Sequence, residues 1–244
     1  MRIRQVVIAA IGFLLFSGVM WAQAKAKPAA GQALSVVASS ATVEKLLQGE
    51  PSTWNQIAVK RISLNRTPPL YDTEEPAGLD IPTVEVRLAR AGGNLLVQLS
   101  WRDATHDATA LAEVPNTAPE TRFRKVPTEA DDRFFDAVAV MFPARPEAGA
   151  IAPSLQMGDA EHPVAIYYWN AARGALLMEA RGRSTTRRTG QSFPAAGTYQ
   201  NGQWSVIFAL PDLPAGTPVA FAVWNGSQKD RDGRKYFSVW HLLE

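Results

Sequence analysis

The 244-residue sequence contains no cysteine, and this decides which chemistry is open to it. Disulfides, Cys-ligated zinc, iron–sulfur clusters and the C-x-x-C-H attachment of c-type haem are excluded. Any redox centre must be held non-covalently, by Met, His, Lys or carboxylate side chains. His106, His162 and His241 are scattered and read as surface or structural residues. His162 lies near another donor, Met157, in the loop Pro153-Ser154-Leu155-Gln156-Met157-Gly158-Asp159. From residue type alone, a loop methionine beside glycine is a gap-filler or an exposed side chain. Lys235 stands between Asp230-Arg231-Asp232-Gly233-Arg234 and Tyr236-Phe237-Ser238-Val239-Trp240. From residue type alone it is a solvated charge at a hairpin edge.

The usual catalytic signatures fail. Gly190-Gln191-Ser192 lacks the second glycine of a nucleophile elbow, and no H-E-x-x-H, G-x-G-x-x-G or Walker A pattern is present. Asp230-x-Asp232-Gly233 echoes a calcium loop without its remaining oxygen ligands, so it reads as a turn. The chain does not read as an independent hydrolase.

The elements that must position these donors are mostly strands. Arg2 and Arg4 precede an apolar core over residues 6–19 and the A-x-A site Ala22-Gln23-Ala24. Residues 1–24 are therefore expected to be a Sec-type secretory signal, with no twin-arginine pair. No second apolar segment of spanning length follows, so no membrane span is expected and the mature protein should be soluble outside the cytoplasm. Removing Arg2 and Arg4 leaves 23 basic against 23 acidic residues, which takes away the main support for nucleic-acid binding. Residues 25–50 read as a flexible start plus a short helix over 42–48, stopped by Gly49 and Pro51.

From Trp54 the pattern is β. A strand is expected over 57–64, and a hairpin over 84–101 turns at Gly92-Gly93. Further strands are expected over 134–142, 164–169, 175–180 and 198–210, the last turning at Asn201-Gly202. Residues 103–132 read as a polar surface excursion and 181–188 as a solvated basic loop. The runs over 134–142 and 219–224 are apolar on both faces, as in strands buried on both sides. The predicted fold is all-β, an antiparallel β-sandwich with long loops and little helix, in one domain over 51–244.

Four segments occur in an order that resembles a known family. Phe135-Asp136-Ala137-Val138-Ala139-Val140-Met141-Phe142-Pro143 is followed by Leu155-Gln156-Met157-Gly158-Asp159, and then by Tyr168-Trp169-Asn170-Ala171. The closing run is Trp224-Asn225-Gly226, the Arg231-Asp232-Gly233-Arg234-Lys235 turn and Ser238-Val239-Trp240. Together they resemble the ethylbenzene dehydrogenase-related haem b subunits, the gamma subunits of type II DMSO reductase family molybdoenzymes such as dimethylsulfide dehydrogenase, selenate reductase and chlorate reductase. The resemblance covers most of the chain from about Trp54. Its departures are Met141, where a polar residue is expected, and Asn170 in place of a lysine.

The resemblance implies a haem b held by Met157 and Lys235 as axial iron ligands. It implies a non-catalytic periplasmic cytochrome subunit in a heterotrimer with an iron–sulfur subunit and a molybdopterin catalytic subunit. Electrons would pass to or from a soluble carrier such as a c-type cytochrome. Ala137, Ala139, Ala220 and Ala222 would make room for the flat macrocycle against a sheet; the alternative is that they permit close packing between sheets. Two other classes compete. One is a carbohydrate-binding β-sandwich using Trp54, Trp101, Trp169, Trp204, Trp224 and Trp240, though most of these fall in predicted strands. The other is a haem-free structural subunit of a periplasmic complex.

Overall fold

The computed structural model describes residues 31–68, 81–108, 134–147 and 150–244. The expected leader and most of the 103–132 excursion lie outside these residues. Strands β1 (Ala33–Leu34) and β2 (Val37–Ala38) precede helices α1 (Val43–Leu47) and α2 (Pro51–Trp54), followed by β3 (Lys60–Ser63) and β4 (Asn65–Arg66). The middle of the chain forms β5 (Thr83–Ala91), β6 (Asn94–Arg102), β7 (Ala137–Pro143), β8 (Val164–Asn170), β9 (Gly174–Ala180) and β10 (Arg187–Arg188). Then come β11 (Ala195–Gln200), β12 (Gln203–Pro211), β13 (Pro218–Trp224), β14 (Tyr236–Phe237) and β15 (His241–Leu243).

These strands make an all-β sandwich of two sheets. One runs β1-β15-β13-β7-β8-β9-β10, with β14 and β4 beside β13; the other runs β11-β12-β6-β5-β2, with β3 on β5. The long neighbours pair antiparallel, as predicted, but β1–β15 and β2–β5 are parallel, so both sheets are mixed. The cause is length. Hairpin connections impose antiparallel pairing on successive strands, whereas a two-residue piece arriving from elsewhere can lie along an open edge in either direction. These pieces come from the stretch whose composition suggested only a flexible start.

The double-sided apolar runs explain how the layers stack. Val138, Val140 and Phe142 of β7 and Val219, Phe221 and Val223 of β13 belong to the central core, together with Val86, Val97, Leu99 and Phe208 of the other sheet. The alternating residues Ala137, Ala139, Ala220 and Trp224 face the other way, into an outer cluster with Ile166 and Trp240. On the second sheet the outward residues Ala89, Leu96, Ile207 and Ala209 are covered by Leu46, Trp54 and Ile57. Thr42 caps α1 by accepting from the Lys45 amide, and the Trp54 indole N–H donates to the Leu46 carbonyl at 2.9 Å. The alternative of close sheet-to-sheet packing for the alanines is therefore overturned. They lie on the outside of the sandwich.

The second strand of the C-terminal hairpin is broken in two. β13 pairs with β14 at Ala222 and Val223 but with β15 at Pro218 and Val219. Between them Ser238 interrupts the ladder. Its hydroxyl accepts the Phe221 N–H at 2.9 Å, while its own N–H donates to the Phe221 carbonyl. The interruption sends Trp240 into the outer cluster.

Candidate functional site

Lys235 is held by the turn that precedes it. Buried Asp230 accepts two hydrogen bonds from the Arg66 guanidinium, both 2.6 Å, and a third from the Asn225 N–H at 3.1 Å. Asp232 and Gly233 then reverse the chain inside an Arg231–Arg234 bridge, with Asp232 in the left-handed region at φ 50°. The Lys235 carbonyl accepts from both the N–H and the hydroxyl of Thr67, each at 2.9 Å. With its backbone pinned, the side chain enters an apolar cavity. Its Nζ lies 5.5 Å from the centre of the Trp224 ring.

Met157 reaches the same cavity from the opposite loop. It adopts φ 73°, as does Gly158, a conformation costing a non-glycine residue roughly 1–3 kcal/mol and typical of functional sites. A Cβ at position 158 would come within 2.5 Å of the His162 carbonyl, so glycine must follow the methionine. The loop is tied down at several points. The Gly158 N–H donates to the Ser154 carbonyl and the Gly182 N–H to the Met157 carbonyl, both at 2.8 Å. The Trp240 indole donates to the Pro153 carbonyl at 2.7 Å. Asp159 accepts the N–H groups of His162 and Glu161, which hold its carboxyl below the usual range against an opposing desolvation.

The two side chains meet. Lys235 Nζ stands 3.9 Å from Met157 Sδ, and the cavity around them contains about 390 Å³ of empty space, counting its open mouth. Ala139, Ala220 and Ala222 line it from the sheet and Leu155 from the Met157 loop. Burial pushes the Lys235 amine below its ordinary range, while Asp232 pulls the other way. Met141, the departure from the family pattern, also lines the cavity.

The donor set fits the iron of the haem that the resemblance implies. A thioether and an amine whose charge is disfavoured by burial converge in an apolar space, and among the described residues no carboxylate lines it. Lys235 Nζ and Met157 Sδ touch directly at 3.9 Å, so the two donors that would hold the iron are presented to the same point in the cavity.

Other candidates fall away. His162 pairs with Asp159 at the surface, His106 stacks on Tyr199, and His241 bonds the Gln32 carbonyl. No group of three His, Cys, Asp or Glu residues able to hold a metal occurs among the described residues. Trp54, Trp101, Trp169, Trp204, Trp224 and Trp240 are at most 8 % exposed, which leaves none as a sugar-stacking platform. Two structural residues escaped the sequence reading. Asp136, fully buried, accepts from the Trp204 indole, the Asp107 N–H and the Gly226 N–H. It joins three segments around the site, as Asp230 joins the turn to Arg66. A charged residue abutting a doubly apolar strand was the available signal for Asp136.

The ethylbenzene dehydrogenase family model matches residues 51–191, a stretch that includes Met157 and stops before Lys235. A protein of Haloferax mediterranei named as a respiratory nitrate reductase heme subunit is 30% identical over 209 residues, covering 80% of this chain and 66% of that protein. The dimethylsulfide dehydrogenase subunit gamma of Rhodovulum sulfidophilum is 29% identical over 211 residues, covering 76% and 70%. The chlorate reductase subunit gamma of Ideonella dechloratans is 28% identical over 167 residues, covering 63% and 61%. The alignments thus span 61–70% of the length of these relatives.

Proposed function

Since the chain belongs to the ethylbenzene dehydrogenase family, we propose that it is a haem b-carrying electron-transfer subunit of a periplasmic oxidoreductase complex, with no catalysis of its own. The observation that carries this reading is the meeting of Met157 and Lys235 at 3.9 Å over an alanine-lined face. The names of the relatives, a heme subunit and two gamma subunits, support it.

When bound, haem b supplies one-electron chemistry at its iron. Met157 and Lys235 would hold that iron. Met157 would contribute a soft neutral donor, which raises the potential. Lys235 would bind as the neutral amine, and its burial in the cavity makes the proton easier to displace. The alanines of β7 and β13 give the macrocycle room, and the Trp240–Pro153 bond holds the Met157 loop against the sheet.

The partners are those the family resemblance implies: an iron–sulfur subunit and a molybdopterin catalytic subunit would complete the complex, which the gamma-subunit names of two relatives support and with which a cysteine-free chain is compatible. A soluble carrier such as a c-type cytochrome completes the electron path. Residues 1–24 direct Sec export and 51–244 form the haem domain. Among the described residues no helix is long and apolar enough to cross a membrane.

The test is spectroscopic. Protein purified from a periplasmic extract should show a Soret band, release its haem to acid–acetone, and give the b-type pyridine haemochrome. Protein lacking a Soret band after expression with ample haem would overturn the reading.

A further inference from the structure

Between positions 173 and 188 the chain carries Arg173, Arg181, Arg183, Arg187 and Arg188 against a single acid, Glu179. All five arginines are exposed. The segment therefore has a net charge of +4 (five arginines less one glutamate) within a chain whose formal total is only +2. Glu179 is bonded to Arg187. Asp159 and Glu161 on the Met157 loop reduce the local excess to +2 without cancelling it.

The strip borders the haem cavity in two ways. First, the register across β10, β9, β8, β7 and β13 sets Arg188 opposite Met178, Met178 opposite Ile166, Ile166 opposite Met141 and Met141 opposite Ala220. Paired residues share a face, so Arg188 ends a row whose far members line the cavity. Second, Gly182, between Arg181 and Arg183, donates its N–H to the Met157 carbonyl at 2.8 Å. Tyr168 lies between strip and cavity. Its burial pushes the phenol above its ordinary range; the Asn170 side chain pulls it back, Asp232 adds to the rise, and the charges of Arg188 and Arg173 lower it more weakly. Its ring meets Trp224 edge-on at 5.4 Å, and Trp224 in turn flanks Lys235.

We propose that this arginine strip is the docking surface for an acidic face of a one-electron carrier protein. The proposal rests on the haem reading, because it needs a redox centre behind Met157. Encounters of redox proteins are small and short-lived, and complementary charge speeds and orients them more than it tightens them. An exposed arginine strip suits that regime. Guanidinium groups are weakly hydrated and match carboxylates two bonds at a time, so they read an acidic patch without burying an apolar one.

The experiment uses the mature, haem-loaded protein immobilised on a sensor surface, with two c-type cytochromes as probes, one acidic and one basic. The acidic cytochrome should bind, with affinity falling as ionic strength rises, and the basic one should not. In R181E/R183E/R188E, acidic-cytochrome binding should weaken by more than roughly tenfold, because like charges then face each other. R181K/R183K/R188K, which keeps the charge, should retain most of it. Equal binding of both cytochromes, salt-insensitive binding, or full binding by the glutamate variant would overturn the proposal. Capture by phosphatidylglycerol vesicles in place of the acidic cytochrome, abolished in the same variant, would overturn it in favour of a lipid surface. The visible spectrum separates the two readings. Missing haem in the wild-type protein counts against the function, whereas a haem-loaded glutamate variant that still binds counts against the strip alone.

Discussion

The two outer faces of the sandwich are built on the same plan and finished differently. On the six-stranded sheet, Ala89, Ala91, Leu96, Ile207 and Ala209 are closed over by Leu46, Trp54 and Ile57. Small residues there receive large ones, and the result is a second core. On the nine-stranded sheet, Ala139, Ala220 and Ala222 receive a loop and a hairpin that stop short of filling the space. What enters instead is a thioether and an amine. Alanines on an outward sheet face therefore do not mean a cavity by themselves. The cover decides, and the second cover carries strain at Met157 and buries Lys235 where its charge is disfavoured. A face built for stability alone would have neither cost.

The contrast is broken most forcefully at Trp54. Trp54→Ala removes a fully buried indole and its bond to Leu46 and should cost about 3–5 kcal/mol in urea unfolding. Haem content per folded molecule should stay at the wild-type level; a parallel loss of haem would show that the two faces are not independent.

Lys235→Arg tests the other face. Guanidinium stays protonated in proteins and cannot ligate, so the variant should lose low-spin character at every pH while remaining folded. In the wild type the same bond should fail in acid. The amine's depressed pKa widens the range in which it is neutral, and that advantage is lost as pH falls through the folded value. Optical titration of both proteins checks this, and a low-spin Lys235→Arg would remove the lysine from the site.

Ala139→Leu is a smaller intervention. Added side-chain volume facing the cavity should cost at most about 1–3 kcal/mol while most of the Soret absorbance is lost on reconstitution. Equal proportional losses of stability and haem would mean that the alanine serves packing only.

The smallest effect is expected at Asp103. Its own burial, then the nearby Asp136 carboxylate, push it from 3.8 to about 6. The folded state thus holds a proton that the unfolded chain has released, and stability should fall as pH rises from about 4 to about 6. Asp103→Asn should flatten that slope in urea midpoints measured across this window; an unchanged slope would place its origin elsewhere.

Much of the architecture was legible along the chain because period-two alternation reports locally which residues share a face. The double-sided runs over 134–142 and 219–224 announced strands buried on both sides. Gly92-Gly93 and Asn201-Gly202 announced their hairpins, Thr42 and Gly49 bounded a helix, and the lack of cysteine limited the redox chemistry. The Met157-Gly158 pair was visible too, although the contact with the His162 carbonyl that demands the glycine was not. Alternation does not say which strand lies beside which, or what covers a face. Only the tertiary structure turned the alanines outward, set Asp136 and Asp230 as buried anchors, put Arg188 in the same cross-strand row as residues lining the cavity, and paired β1 with β15 and β2 with β5 in parallel. It also brought Met157 and Lys235, 78 positions apart, to 3.9 Å. That separation depends on the register of β7 with β13 and on two loops anchored by residues distant in sequence, and no local propensity carries such information.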